Sequence, residues 1–231
     1  MPPDVKLPII LVNFKAYAEA TGENAIKLAE MAEGVSSETG VCVGVAPQFV
    51  DIPIIARKFN VPVFAQHIDP VSFGSYTGYV LPESIKQAGA VGSLLNHSER
   101  KLSLNDISVA IGRAREVDLI SVVCSESVAA SAVLAAFKPN MIAIEPPELI
   151  GTGMSVSKTK PEIITSAIKT IKRINPEVSV LCGAGITSGS DVLAAMKLGV
   201  EGILVSSGVV KAKDPYKVML EFAEAMLKVK S

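Results

Sequence analysis

Short apolar runs and longer segments of helical period alternate along this sequence, and the alternation repeats eight times. The runs are rich in β-branched residues and hydrophobic almost without interruption, as is typical of strands buried on both faces. They span residues 8–13, 41–46, 61–66, 91–96, 119–124, 141–145, 178–183 and 202–206. Because strands that alternate with helices build parallel sheets, the pattern predicts an α/β fold.

Eight strands that are each followed by a helix are typical of a (β/α)8 barrel, which we predict as a single domain over residues 1–231. An open, doubly wound sheet is the alternative, since the number of strands alone does not distinguish the two. No linker, low-complexity tract or charge block divides the chain. Only 5% of the residues are aromatic and none is Trp, so the core has to be built from Val, Ile, Leu and Ala.

Charge and composition argue against two classes of function. The chain has 22 Lys and Arg against 23 Asp and Glu, a formal net charge of −1. It therefore lacks the basic excess that nucleic-acid binding requires. No apolar run approaches the roughly 18 residues of a membrane span, so we expect no membrane association either.

The three cysteines, Cys42, Cys124 and Cys182, form no CxxC motif, and each lies at or within a Val-rich run. We interpret them as small apolar packing residues of a reduced, cytoplasmic protein. With two histidines and no cluster of Cys and His, the sequence predicts no metal site.

In a barrel of this kind, reactive side chains lie at the carboxyl ends of the strands. The polar residues at the predicted ends are Asn13, Lys15, Gln66, His67, Asn96, His97 and Glu145. The seventh and eighth ends carry small residues instead, at 183–185 and 206–208. Backbone N–H groups of such turns approach anions closely, which favours a phosphate site there. Ser188 breaks a GxGxxG pattern and no Walker A motif occurs, so we predict no nucleotide cofactor.

Lys15, His97 and Glu145 come from three different strand ends. A carboxylate abstracts a proton from carbon next to a carbonyl, an imidazole polarises that carbonyl, and an ammonium offsets the developing oxyanion. Taken singly, each residue also has an ordinary explanation: a surface charge, a structural histidine or an ion-paired carboxylate. Their joint position on one face of a barrel favours proton transfer next to a carbonyl.

Three local strings resemble the triosephosphate isomerases, in particular their shorter archaeal form. They read Asn-Phe-Lys at 13–15, Asn-His-Ser-Glu-Arg at 96–100 and Glu-Pro-Pro-Glu-Leu-Ile-Gly-Thr-Gly at 145–153. The resemblance runs from Asn13 to the last helix. It implies an enzyme that interconverts dihydroxyacetone phosphate and glyceraldehyde 3-phosphate in glycolysis and gluconeogenesis, without a cofactor.

The resemblance also implies a role for each site residue. Glu145 would be the base that moves a proton between C1 and C2, and His97, as neutral imidazole, would be the electrophile. The remaining substrate-binding residues that it implies are Asn13 and Lys15, Ile150 and Gly151 in a mobile lid, and Gly185, Ser206 and Ser207 at the phosphate.

The chain departs from the better-known bacterial and eukaryotic pattern at the phosphate end. Gly185 stands where a Ser is usual, and Ser206 and Ser207 replace a Gly pair. Another phosphosugar isomerase is the alternative enzyme, although no Asp occupies a strand end. A barrel that only senses a phosphorylated metabolite is the other alternative; such a protein would be expected to lose the base or the electrophile.

Two segments predict assembly. Tyr76, Thr77 and Gly78 resemble the loop through which this family forms dimers. Residues 127–137 form a predicted outer helix that is apolar or small almost all round, with no charged residue between Glu126 and Lys138. An outer helix normally shows water a charged face. We therefore expect a homo-oligomer, and a tetramer with this helix at its second interface rather than a dimer.

Overall fold

Eight parallel strands form the sheet in a computed structural model that describes residues 4–146 and 161–230. Each strand lies within one of the predicted runs or extends one residue beyond it. Their bounds are β1 (Ile9–Asn13), β2 (Cys42–Ala46), β3 (Phe64–Ala65), β4 (Gly92–Leu95), β5 (Ile120–Ser125), β6 (Met141–Ile144), β7 (Ser179–Cys182) and β8 (Gly202–Val205). The positions of the apolar runs were therefore predicted correctly, and their ends to within one to three residues.

The order of the strands decides between the two architectures left open by the sequence. Neighbouring strands follow the order β2-β1-β8-β7-β6-β5-β4-β3. The two outer strands of this order also meet, since Val45 pairs with Val63 and its N–H donates to the carbonyl of Pro62 at 2.9 Å. The sheet therefore curls into a nearly closed (β/α)8 barrel, and the open sheet is wrong.

One predicted strand is much shorter than its apolar run. The run at 61–66 predicted six residues, whereas β3 contains only Phe64 and Ala65. Pro62 has no N–H and so donates nothing to a ladder, and its carbonyl serves the single bridge to β2. The barrel is accordingly weakest in regular pairing between β2 and β3.

Helices surround the barrel in chain order. Their bounds are α1 (Glu23–Thr39), α2 (Ile52–Lys58), α3 (Pro82–Gln87), α4 (Leu104–Glu116), α5 (Val128–Ala136), α6 (Pro161–Ile174), α7 (Gly189–Lys197), α8 (Ser207–Val210) and α9 (Pro215–Lys230). Serine side chains cap α4, α5 and α7 by accepting a hydrogen bond from the backbone of the first turn. Within the described ranges, no helix is long and apolar enough to cross a membrane.

The core has two layers because neighbouring residues of a strand face opposite ways. Ile9 and Leu11 of β1 belong to the small cluster that fills the barrel. Ile10 and Val12 belong to the larger cluster between the strands and the helices. All four are fully buried or nearly so, which explains why the strands read as continuous apolar runs.

Gly92 on β4 shows how tightly the inner layer is packed. A Cβ placed there would lie 2.5 Å from the carbonyl oxygen of Ile120 and 2.6 Å from the ring of Phe64. The ring occupies the space that a side chain on Gly92 would need. Gly112 on α4 differs, since a Cβ there meets nothing within 4 Å.

We expect Gly92→Ala to lower the free energy of unfolding by about 1–3 kcal/mol, because the added methyl overpacks the barrel interior. Gly112→Ala is the matched control and should raise the stability by about 0.5–1 kcal/mol, since Ala is the better helix former. Urea unfolding of both variants measures the two effects. Stabilisation of equal size in both would contradict the packing described for Gly92.

Candidate active site

A cavity of about 300 Å³ opens at the carboxyl ends of the strands. Seven of the nine predicted site residues line it: Asn13, Lys15, His97, Glu145, Gly185, Ser206 and Ser207. The other two, Ile150 and Gly151, lie outside the described residues. The barrel thus brings together residues that lie up to 194 positions apart in the sequence, from Asn13 to Ser207.

His97 and Glu145 lie side by side in the wall of the cavity. Nε2 of His97 lies 3.7 Å from Oε2 of Glu145. The other ring nitrogen, Nδ1, accepts a hydrogen bond of 3.2 Å from the backbone N–H of Glu99. An acceptor nitrogen carries no proton, so this bond assigns the proton of the ring to Nε2. His97 is therefore a neutral imidazole whose single N–H points to the side of Glu145.

Burial separates the proton affinities of this pair. Both side chains are less than a tenth exposed, and burial penalises whichever form is charged. Burial lowers the pKa of His97 from 6.5 to about 4, with a further lowering by Lys15 and an opposing effect of Glu99. Burial raises the pKa of Glu145 from 4.5 to about 7, against the lowering effects of Cys124 and Lys15. The 3.7 Å contact is therefore no ion pair at neutral pH, because the imidazole is uncharged.

Neighbouring strands hold Glu145 at its position. Its N–H donates to the carbonyl of Ser125 at the end of β5, at 2.8 Å. On the other side, a Cβ on Gly183 would lie 2.4 Å from Cγ of Glu145. Only a glycine leaves room there for the carboxylate. The sequence predicted Gly183 as part of a phosphate turn, and its contact with Glu145 was missed because the two residues lie on different strands.

Cys124 was interpreted as an apolar packing residue, and this interpretation was incomplete. Its thiol is fully buried next to the Glu145 carboxylate and lowers the pKa of that carboxyl. Cys124 lies in the inner layer of β5, and this inward position was the feature from which its contact with the site could have been predicted. Cys42 and Cys182 are free thiols as well, and burial raises the pKa of both.

Lys15 brings the positive charge into the cavity. Its side chain is 13% exposed, and Nζ lies 2.8 Å from Oε1 of Glu99. Its backbone N–H donates to Oδ1 of Asn13 at 3.0 Å. Glu99 therefore touches both cationic and imidazole groups of the site, through its carboxylate on Lys15 and its N–H on His97. The ammonium is close enough to lower the pKa of both His97 and Glu145.

The turns after β7 and β8 differ in how their backbone amides are occupied. At the start of α7, Ser188 and Asp191 form a reciprocal capping box, and the Gly189 N–H donates to Glu221 at 2.6 Å. The helix α8 begins at Ser207 and has no side-chain cap. The N–H groups of Val209 and Val210 donate to the carbonyl of Ser206 at 2.9 Å. The first two amides of the helix, those of Ser207 and Gly208, have no acceptor within it and are available to an anion in the cavity.

Ser206 adds a buried hydroxyl to this end of the cavity. Its Oγ is buried and has no hydrogen-bond partner among the described residues, and the same holds for Oε2 of Glu145. Buried polar atoms are ordinarily hydrogen-bonded, so two such atoms in one cavity indicate that a polar ligand belongs there. Gly185, with φ of +70°, contributes no side chain, as its sequence implied.

His67 does not line the main cavity. Its ring is buried and its Nε2 lies 3.0 Å from Oδ1 of Asp69, whose other oxygen accepts the N–H of Val80 at 2.6 Å. Arg100 approaches the same carboxylate at 3.7 Å. This pairing agrees with a structural histidine. In the described part of the chain, no three His, Cys, Asp or Glu side chains are grouped as a metal site would need.

Comparison with known proteins identifies the family. The family model described as triosephosphate isomerase matches residues 8–226. The chain belongs to the triosephosphate isomerase family. The triosephosphate isomerase of Methanothermus fervidus is 52% identical over 95% of this chain and 99% of its own length. The enzyme of Methanobacterium bryantii is also 52% identical, over 93% of this chain and 95% of its own, and that of Archaeoglobus fulgidus is 48% identical over 94% and 97%. The archaeal resemblance stated from the strings is therefore confirmed.

The raised pKa of Glu145 makes stability depend on pH. Between pH 4.5 and about 7 the folded carboxyl keeps a proton that the unfolded one has lost, so its contribution to stability falls as pH rises through this window. We expect Glu145→Gln to gain up to about 3 kcal/mol on the parent chain between pH 4 and pH 8, because the amide never ionises. Urea unfolding at both pH values measures this.

The lowered pKa of His97 acts in the opposite sense, since the unfolded histidine binds its proton between about pH 4 and 6.5 and the folded one does not. The two effects partly cancel in the free energy of unfolding of the parent chain, so its dependence on pH is partly flat. Only the comparison with the Glu145→Gln variant isolates the contribution of Glu145. Glu30→Gln on the exposed side of α1 serves as the control. A constant difference between Glu145→Gln and the parent across this pH range would contradict the assignment.

Proposed function

We propose that this protein interconverts dihydroxyacetone phosphate and glyceraldehyde 3-phosphate by proton transfer through an enediolate, as a cytoplasmic enzyme of glycolysis and gluconeogenesis. The observation that carries the proposal is the pair of Glu145 and His97. A buried carboxyl with a pKa of about 7 faces a neutral imidazole with its N–H toward the cavity. A base poised near neutral pH and an uncharged hydrogen-bond donor are what removal of a proton next to a carbonyl requires.

In the forward direction, Glu145 removes a proton from C1 of the ketose, while Nε2–H of His97 donates a hydrogen bond to the C2 carbonyl oxygen. The carboxyl then returns the proton to C2, as the oxygens exchange their proton through the imidazole. The neutral ring is suited to this exchange because both oxygens of the enediolate need a proton donor of low acidity. The Glu99 N–H on Nδ1 keeps the ring in the required tautomer.

Charge on the substrate is met at two places. Lys15 offsets the negative charge that develops on the oxygens, helped by Asn13, whose side chain holds the Lys15 backbone. The phosphate lies at the turns of Gly185, Ser206 and Ser207, where the uncapped start of α8 and the unpartnered Ser206 hydroxyl offer N–H and O–H donors.

The family resemblance adds a lid to this proposal. Ile150 and Gly151 would close over the bound phosphate, exclude water and keep the enediolate from losing phosphate. The reaction needs neither metal nor cofactor, because the base, the electrophile and the cation are all side chains of the chain.

A coupled assay with glyceraldehyde 3-phosphate tests the proposal directly, and absence of turnover in the pure protein would overturn it. Glu145→Asp and Glu145→Gln should lower kcat by orders of magnitude with little change in the affinity for phosphorylated inhibitors, because the carboxylate acts on carbon and not on the phosphate. His97→Gln should lower kcat as well. Ser84→Ala on the exposed face of α3 is the control; near-native turnover in both Glu145 variants would remove the base assignment.

We also propose that the chain forms tetramers from two loop-mediated dimers. In the loop between β3 and α3, the aromatic side chains of Phe73, Tyr76 and Tyr79 are all exposed, which is unusual for rings of this size. A second cavity of about 170 Å³, beside Lys15 and His67, offers a recess next to the active site in which such a loop would end.

The second interface would use α5. Its inner side packs against β5 and α6, and the residues left exposed are Ala129, Val133 and Ala136. The spacing of these three residues places them along one stripe, without a charge. Small side chains in such a stripe let two helices approach closely. Ala132 is half-buried and lies outside this stripe.

We expect Ala129→Arg to convert tetramers into dimers without loss of turnover, because a buried guanidinium at the centre of an apolar interface lacks a partner. Ala18→Arg introduces the same charge at an exposed alanine outside α5 and should leave the tetramer intact. Light scattering at micromolar concentration measures the mass of each. A stable dimer for the unmodified chain would rule out the second interface.

A further inference from the structure

The backbone of Lys15 has a conformation that residues with side chains rarely adopt. Its φ is +50°, in the left-handed region, where the Cβ crowds the following carbonyl. Such a conformation persists only where the surroundings determine it. The neighbours that hold the peptide groups of Lys15 therefore decide where its ammonium lies.

Two glutamine side chains converge on the carbonyl oxygen of Lys15. Nε2 of Gln48 donates to it at 2.6 Å, and Nε2 of Gln66 donates to it at 2.8 Å. Gln48 follows β2 and Gln66 follows β3. The two donors therefore come from the two strands whose single bridge closes the barrel. Both lone pairs of the oxygen are thus occupied.

The two amides also fix each other. Nε2 of Gln48 donates its second hydrogen to Oε1 of Gln66 at 3.2 Å, and Nε2 of Gln66 donates its second hydrogen to the carbonyl of Ala46 at 3.0 Å. All four N–H donors of the two side chains are used. A polar network in which every donor is satisfied is rigid, and Gln48 sets the orientation of the Gln66 amide within it.

Lys15 is therefore held from both sides. Asn13 accepts its N–H at 3.0 Å, and the glutamine pair donates to its carbonyl. With the backbone fixed in this way, the side chain projects into the cavity and Nζ reaches Glu99 at 2.8 Å. If the carbonyl loses its donors, the peptide is free to rotate toward an ordinary conformation, which points the side chain elsewhere.

We propose that Gln48, together with Gln66, is a positioning residue that keeps the ammonium of Lys15 in the active site by holding its backbone in the left-handed conformation. The catalytic part of this inference rests on the proposed isomerase function. The conformational part does not. The hydrogen bonds from Gln48 and Gln66 to the Lys15 carbonyl, which we call the clamp, are all contacts within the chain.

Gln48→Met tests the inference, because methionine preserves the length of the side chain and removes both donors. Gln87→Met, on the exposed end of α3, is the matched control. We expect Gln48→Met to raise KM for the triose phosphate and lower kcat/KM by about 10- to 100-fold, as a displaced catalytic group does. Gln66→Met should act in the same direction, and Gln87→Met should change neither constant.

A double-mutant cycle separates positioning from a general structural role. In a Lys15→Met background, Gln48→Met should reduce kcat/KM by less than about 2-fold, since there is no ammonium left to position. An undiminished effect in that background would overturn the inference, because Gln48 would then act on activity independently of Lys15.

A chemical readout makes the test independent of activity. Reductive methylation with formaldehyde and cyanoborohydride, followed by mass spectrometry, reports the accessibility of each lysine. Lys172 on α6, which is ion-paired with Glu201 at 3.0 Å, serves as the internal reference for a general loosening of the fold. In Gln48→Met the methylation rate of Lys15 should rise several-fold relative to Lys172, and in Gln87→Met the ratio should stay unchanged.

The outcomes distinguish this inference from the proposed function. Faster methylation of Lys15 in Gln48→Met supports the clamp even if the unmodified chain isomerises no triose phosphate, a result that would overturn only the proposed function. An active parent chain, with unchanged kinetics and an unchanged methylation ratio in Gln48→Met, would overturn the clamp alone. Equal acceleration at Lys15 and Lys172 would also overturn it, because the variant would then loosen the whole fold.

Discussion

Closing eight parallel strands into a barrel buries both faces of every strand and leaves only the strand ends in contact with water. The interior is apolar through most of its depth, where Leu11, Phe64 and Leu94 fill it. Toward the carboxyl ends the last inward positions are polar, among them Asn13 and Glu145. The position of the site therefore follows from the closure of the barrel. The site lies at the end of the apolar interior, and these apolar surroundings make its environment one of low polarity.

At this position, burial disfavours the charged form of Glu145 and at the same time raises the pKa of its carboxyl toward neutral pH. Burial penalises the carboxylate, and the Cys124 thiol, Lys15 and Lys101 compensate only in part. The buried side-chain atoms without a partner in the described ranges are Glu83 Oε2, Glu145 Oε2 and Ser206 Oγ. Two of these three border the same cavity. The chain thus keeps unsatisfied polar atoms where a substrate would complete them, and the surrounding strands supply the stability that this arrangement costs.

The sequence predicted what depends on the order of residues along one strand, and less of what depends on contacts between strands. The apolar runs, the barrel and the polar strand ends followed from local patterns. Pro62 shortened β3 by removing a donor, an effect visible in the sequence in principle. In contrast, the tight contact of Gly183 with Glu145 and the convergence of Gln48 and Gln66 on Lys15 join different strands. Both depend on the stagger between neighbouring strands.

The hydrogen bond from the Glu99 N–H to His97 has a consequence for how this site ionises. It occupies the nitrogen that a second proton would need, while burial makes the carboxyl of Glu145 the more basic of the two groups. The usual order of basicity, with imidazole above carboxylate, is therefore inverted. In most proteins the group that titrates near neutral pH is a histidine. In this pair it is Glu145, and the imidazole of His97 stays uncharged.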